Sequence, residues 1–572
     1  MRAPMSSKAR WLSPAAALLA LALLAGACSS SDNASSGEQA RSGGGEVRTG
    51  DFVDAGEPVV GGRVVYGLEA DTTGGFAPAA CVCAVSGHQI MKAVYDTLAL
   101  VDENGEIVPN LATGWEHNDD YTQWTITLRD GVKFHDGTSL DGAAVAVNIA
   151  ALQKSLLTQT ALRDVESVTS SGQTVTINLS QPVARLPVVF SSQLGYVASP
   201  KWLAEAAQDS SLLNQPVGTG PFMYESYTPG NGNSFVAVRN PNYWREGLPY
   251  LDEVEFRVLE DIQSRSNALR KGEIDVMHTS NADEIAKFRK DANFDRFEVG
   301  NNMETSYVLL HVGSETTTIG GRTEPNPMAD VRIRRALAHA TDNDTLIRAR
   351  NAGIVDEANG PFPPGTVGYL EETGFPKFDV DAAKALVADY EAENGPVTVR
   401  YATTSDPFNR VTAELLQQMW EAAGVTVTID TIEQSQFILK ALTGEFQAFG
   451  WRNHGGVDPM LQEIWWHSAN SAAPPALSLN FGRIQDEVID TNLDTIKNSD
   501  DPAEVKRAAE AVNRRFGEQV YNLWNNWTLW AVVANPVVHN PINGYTAPGG
   551  ERIRSGIGIG ASHFLTQAWV TR

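Results

Sequence analysis

The chain has 572 residues, 42% of them hydrophobic, with 44 Lys and Arg against 69 Asp and Glu and a formal net charge of −25. That length accommodates about three or four domain-sized units with sizeable cores. The acidity, with no basic tract and no recognisable reader motif, argues against nucleic acid as a partner.

Arg2, Lys8 and Arg10 form a basic start without an acid, followed by the apolar run Ala15–Leu24 and the small-residue site Ala25-Gly-Ala-Cys28. Residues 1–27 read as a secretory signal peptide, because a membrane span needs about 20 apolar residues. The end of the run resembles a bacterial lipobox, with Ala25 where leucine is preferred. That resemblance implies acylation of Cys28 as the first mature residue; the plain alternative is ordinary cleavage with Cys28 unmodified. Residues 28–57, rich in Ser, Gly, Asn and Glu, bury too little apolar surface to fold and read as a tether of about 30 Å r.m.s..

The folded chain is expected to open with a strand, Gly61-Gly-Arg-Val-Val-Tyr-Gly-Leu-Glu-Ala, that runs into an irregular loop from Asp71 to Cys83. Cys81 and Cys83 are either packed there or disulfide-linked, and two thiols are too few for a zinc site. Ile90, Val94, Tyr95 and Leu98 then have helical spacing. Trp124–Arg129 and Thr174–Ser180 alternate as half-buried strands, Asp130-Gly and Asp136-Gly bracket a hairpin, and a helix spans about 141–156. This makes a compact α+β unit over 100–215. Strands follow over Phe222–Tyr227, Ser234–Arg239 and Val254–Leu259, then a helix, Ile262–Lys271, stopped by Gly272, and a further strand, Ile274–Met277. A helix is expected over Asp330–Ala340. Strand Val397–Tyr401, helix Val411–Ala423 and strand Val425–Ile429 form a βαβ unit with parallel strands. The run Gly444–Gly450 alternates as a strand, and Trp451-Arg-Asn-His-Gly-Gly-Val-Asp-Pro459 reads as the loop beyond it.

Several landmarks in order carry a family resemblance. They are Asn110-Leu-Ala-Thr-Gly-Trp, Thr125-Ile-Thr-Leu-Arg-Asp-Gly-Val-Lys-Phe-His-Asp-Gly-Thr, Gly218-Thr-Gly-Pro-Phe, Arg239-Asn-Pro-Asn-Tyr-Trp, Lys271-Gly-Glu-Ile-Asp-Val and Val331-Arg-Ile-Arg-Arg-Ala-Leu. Together they look like the peptide/nickel-type extracellular solute-binding proteins of ABC importers, over residues 60–545. The resemblance implies an α/β, two-lobed periplasmic-binding-protein-like fold with an extra small α+β domain on lobe one. Lobe one would comprise 58–99, 216–303 and 529–572, the small domain 100–215, and lobe two 304–528. The chain would cross near Asn301–Tyr307 and Trp524–Trp530. A solute would be enclosed as the lobes close and offered to a membrane permease by a monomer held to the membrane through Cys28, with no cofactor, no metal and no catalysis.

The resemblance also places candidate ligand contacts. The loop after the first strand, with Glu69, Cys81, Val82 and Cys83, would face the cleft from lobe one, and Trp451, Arg452, Asn453, His454 and Trp527 from lobe two. Peptide-binding relatives carry an aspartate just after the Gly-Trp of this stretch, paired with the ligand's α-ammonium. Here Arg452-Asn-His stands in its place, and Asp458 matches a later aspartate. A buried ammonium without a counter-charge is costly, so a carboxylate, phosphate or neutral polar group suits Arg452 or His454 better. Trp451, Trp465, Trp466, Trp527 and Trp530 offer flat surfaces to a ligand or to a core.

Two other classes are weighed. An envelope hydrolase would show a Gly-x-Ser-x-Gly elbow or a His-Glu-x-x-His helix, and neither occurs. A nickel or haem carrier of the same fold would draw on His454, His467 and Asp458, but their spacing fits no compact site. Phe134-His-Asp-Gly137 reads as a structural turn, and Arg332, Arg334 and Arg335 as a solvated or ion-paired helix face.

Overall fold

The computed structural model describes residues 56–571 except 73, 156–157, 300–303, 405–406, 455, 457, 543–544 and 554–559. The expected signal peptide, the expected acylation site Cys28 and nearly all of the expected tether lie outside the described residues.

The first lobe is built on a seven-stranded sheet. In spatial order its strands are Asp295–Val299, Trp530–Ala534, Val276–Thr279, Arg63–Leu68, Glu253–Val258, Ser234–Arg239 and Phe222–Tyr227. Arg63–Leu68 runs parallel to both Glu253–Val258 and Val276–Thr279, and the remaining pairs are antiparallel. Val64, Tyr66 and Leu68 alternate into a core shared with Ile90, Met91 and Val94 of the helix Val85–Val94. Burial of that face is what fixes the strand's register, since a one-residue slip would send Tyr66 to the other side.

The second lobe has a five-stranded sheet in the order Thr426–Ile432, Thr398–Thr404, Ala448–His454, Glu304–Leu310, Asn522–Trp527. Thr398–Thr404 and Thr426–Ile432 pair in parallel across the helix Pro407–Ala422, the βαβ unit expected from sequence. One face of this sheet packs Val308, Leu310, Val399 and Tyr401 with Ile333 and Leu337 of Val331–Ala340 and with Trp420. The opposite face packs Tyr307, Leu309, Phe449, Trp524 and Trp527 against Ile489 and Leu493 of Glu487–Asn498 and Val512 and Phe516 of Pro502–Gln519. The chain passes between the sheets twice, after Val299 and after Trp527.

The small unit is a four-stranded antiparallel sheet, Ala112–His117, Gln123–Leu128, Thr174–Leu179 and Val165–Ser171, packed on the helix Gly142–Lys154. Asp141 caps that helix by accepting from the Ala144 N–H, satisfying one orphan donor of its first turn. His135 is structural: it accepts from the Gly218 N–H through Nδ1 and contacts the Gly220 carbonyl through Nε2. Burial holds its pKa at about 4, so the imidazole is neutral.

Two local expectations are corrected. The strand expected over 444–450 is Ala448–His454, so Trp451 to His454 lie on the strand and not on a loop. Gly444 instead caps the preceding helix, Gln434–Thr443, at φ 75°, a left-handed stop that glycine adopts without a Cβ penalty. Arg334 is not solvated: it is buried and donates to the carbonyls of Met328, Ala329 and Gln519, whereas Arg332 is ion-paired with Asp330 and Glu393.

Candidate functional site

Parallel strands expose their carboxyl ends as a natural place for ligands. In the first lobe Arg63–Leu68 ends at Glu69, and Val276–Thr279 ends at Ser280. Trp530, which opens the return strand, lies beside them, its ring 5.7 Å from that of His278. From the second lobe, Ala448–His454 brings Arg452 to this edge. Its Nη1 donates to the Ser280 hydroxyl at 2.8 Å, and its guanidinium sits 5.2 Å from the Trp530 ring centroid. One side chain of the second lobe thus holds two groups of the first.

The charges around Arg452 are balanced. Glu304, at the start of Glu304–Leu310, lies 3.5 Å from Arg452 Nε and accepts a hydrogen bond from Trp530 Nε1. Glu304 is about 1% exposed and Arg452 40%. Glu69, a quarter exposed, lies 3.9 Å from the buried Arg265 of Ile262–Arg270. Burial raises the Glu69 pKa; Arg265 and then Arg452 pull it down, and Glu304 pushes it up again. Two carboxylates and two guanidiniums therefore share one site, with Arg452 and Glu69 its more exposed members.

Behind Trp530 the interior stays polar. The Tyr66 and His278 rings lie 5.7 Å apart, and those of Tyr66 and His563 5.6 Å apart. Among the described residues, neither ring nitrogen of His278 nor the Tyr66 hydroxyl has a hydrogen-bond partner. Burial, Arg265 and His563 drive the His278 pKa well down, so it is a neutral imidazole. Buried polar atoms of this kind call for a polar solute or ordered water.

The sequence candidates divide. Glu69 and Arg452 come together in the charged cluster. Asn453 is buried opposite Thr305. His454 pairs with Glu304 in the strand register, and its side chain lies outside the described residues. Trp451, half-buried, stacks on Phe437 at 5.3 Å and Phe449 at 5.9 Å and meets Phe481 edge-on at 5.0 Å. Trp527 is 2% exposed, inside the aromatic core. Cys81 and Cys83 are joined as a disulfide. Val82 is exposed between them, and the described contacts of this turn run to Gln193 and Met91 and not to the charged cluster. Glu304, Arg265 and Ser280 were not singled out from sequence. A lone acid opening an apolar strand, Glu304-Thr-Ser-Tyr-Val-Leu-Leu, was the available signal for the first. Among the described residues, no group of three or more His, Cys, Asp or Glu could hold a metal.

A fold of two lobes whose strand ends converge on paired charges suits the holding of a charged solute between them. The family model described as bacterial extracellular solute-binding proteins, family 5, middle region, matches residues 106–474, well over half of the chain. The chain belongs to that family, whose members are extracytoplasmic receptors of ABC importers. Among curated relatives, the heme-binding protein A of Haemophilus influenzae is 26% identical over 505 residues, covering 82% of this chain and 86% of its own. Two solved structures share the fold. The binding protein AgaA of A. tumefaciens R10 in complex with agropinic acid superposes with a TM-score of 0.76 at 22% identity, covering 89% of this chain and 99% of its own. The protein DppA of Helicobacter pylori in complex with the peptide STSA does so with a TM-score of 0.77 at 20% identity, covering 90% and 99%.

Proposed function

We propose that this chain is a lipid-anchored, extracytoplasmic receptor that closes its two lobes on a small zwitterionic solute, such as a short peptide or an opine-like conjugate, and presents it to an importer permease. The observation that carries this reading is Arg452. It reaches from the second lobe to Ser280 and Trp530 of the first, amid Glu304, Glu69 and Arg265. Arg452 suits a solute carboxylate, which a guanidinium can take in two parallel hydrogen bonds, while buried Arg265 donates to the Leu259 and Glu260 carbonyls behind it. Glu304 and Glu69 suit a cation. The carboxylate missing after Gly450-Trp451 is offset by Glu304, directly across the strand pair from His454. On this reading a solute ammonium would lie nearest Glu69 and Glu304, in place of the carboxylate that peptide-binding relatives carry after Gly-Trp.

The hinges of this closure would be the crossings after Val299 and Trp527, with the lobes divided near residues 304 and 528. Closure is driven by what a solute gains from contacting both lobes at once. Thermal-shift and calorimetric titration with one dipeptide in four forms tests the reading: free, N-acetylated, C-amidated and blocked at both ends. The free form, or a free opine in a parallel series, should bind, and each block should weaken binding at least tenfold. Equal binding by the doubly blocked peptide, or binding by no peptide or opine, would overturn it.

A further inference from the structure

The small unit does more than decorate the first lobe. Its chain enters and leaves through that lobe, and it is fixed there by His135 to Gly218 and Gly220, and within its base by Asp136 to Ser199. Yet its other side lies against the second lobe. Arg185 forks onto Asp458, with Nε 3.2 and 3.0 Å from the two carboxylate oxygens and Nη2 on the second. Arg163 pairs with Glu463 and donates to Asn470 Oδ1 at 2.7 Å. Lys497 reaches Asp164 at 3.1 Å, and the Tyr121 hydroxyl bonds Asp500. Beneath these contacts Leu162, Val165, Val183 and Leu186 meet Met460 around a small cavity of about 20 Å³. The small unit's core and the second lobe's aromatic core form one continuous apolar cluster.

Asp458 closes the same segment that carries the ligand-wall candidates, four residues beyond His454. It also caps the short helix Pro459–Gln462 by accepting from the Met460 N–H. A small unit anchored in one lobe and ion-paired to the other must lose these pairs if the lobes part.

We propose that the small unit is an ionic clasp: Arg185, Arg163 and Asp164 grip Asp458, Glu463 and Lys497 as the cleft closes, holding the closed state and keeping Arg452 against the first lobe. The clasp rests on the two-lobe closure proposed above, and explains why Asp458 is engaged with arginine and not free for a solute. Arg163 and Arg185 are positioning residues; neither belongs to the solute site. Because the contacts are partly exposed, added salt should loosen them.

The test uses the mature full chain without solute and two pairs of spin labels on exposed positions, read by pulsed dipolar spectroscopy. One pair spans the solute cleft and the other spans the junction between small unit and second lobe. Arg163→Glu and Arg185→Gln should each shift both distance distributions toward longer separations, as should raising salt in the unmodified protein. The exchanged pair Arg163→Glu/Glu463→Arg should restore the short distances, which a merely structural defect would not do. Circular dichroism confirms that each variant is folded, and Arg185→Lys, which keeps the charge, provides a second rescue should the exchange misfold. A clasp distance that stays short while the cleft opens would show the small unit moving with the second lobe and would overturn the clasp. A cleft distance that never lengthens, in any variant or salt, would remove the closure reading and the clasp with it.

Discussion

Replacing Arg452 by alanine removes the guanidinium that faces Glu304, a carboxylate about 1% exposed, and the contact with Trp530 and Ser280. The cation–π contact contributes about 0.5–1 kcal/mol at a partly exposed site. Arg452 is 40% exposed, so the ion pair itself is screened and adds about 1 kcal/mol or less. The larger effect is on what stays behind, because a buried carboxylate that loses its facing charge costs about 1–3 kcal/mol. Arg452→Ala should therefore destabilise the protein by about 2–3 kcal/mol, or roughly 4–6 °C in Tm at about 2 °C per kcal/mol for a chain of this size. Adding Glu304→Gln removes that buried charge while keeping an acceptor for Trp530 Nε1. The double variant should then recover about 1–2 kcal/mol. Chemical denaturation of the wild type, both single variants and the double variant forms the cycle. A coupling energy below about 0.3 kcal/mol would show that the two groups do not act on each other and would refute the charge-balanced site.

Other outcomes follow from burial and titration. Glu69 has a raised folded pKa, so the folded state holds its proton more tightly than the unfolded chain. Its contribution to stability is greatest at low pH and falls as pH rises from the ordinary carboxyl range through the raised value; Glu69→Gln should flatten that slope in a pH series of unfolding curves. Asp96, buried, accepts from Thr219, Tyr243 and Trp244, yet burial outweighs them and lifts its pKa to about 6. Stability should drop by roughly 3 kcal/mol between about pH 4 and 6 on this account, and Asp96→Asn should abolish the drop. Trp527→Ala should cost about 3–5 kcal/mol as a core truncation, and Trp451→Ala, half-buried, clearly less, as read by Tm. Equal losses would place Trp451 in the core as deeply as Trp527.

Much of the architecture was legible because burial imposes local periodicity. Val64, Tyr66 and Leu68 announce an inward face, the βαβ unit around Pro407–Ala422 is written as two β-branched runs about a helix, and Gly272 stops its helix at φ 71°. The site was legible only in part. Glu69 and Arg452 stand at strand ends that the pattern could locate. Glu304 acquires its role from a strand register with Ala448–His454 and from Trp530, which lies 226 residues away in the chain. Arg265 reads as one more charge on a polar helix, and only the packing of Ile262–Arg270 under Glu69 buries it. Asp458 looked like a leftover of a ligand motif, whereas its carboxylate is engaged by Arg185, 273 residues earlier. Long-range pairings of this sort leave no trace in spacing.

In the proposed function the chain clamps a zwitterionic solute between Arg452 and the strand ends of the first lobe. Native mass spectrometry of the protein released from its own envelope tests it most directly. The expected result is a one-to-one adduct carrying both an ionisable amine and a carboxylate, present in the wild type and lost from Arg452→Ala and Glu304→Gln. An adduct without one of those groups, or one retained in full by both variants, would contradict it.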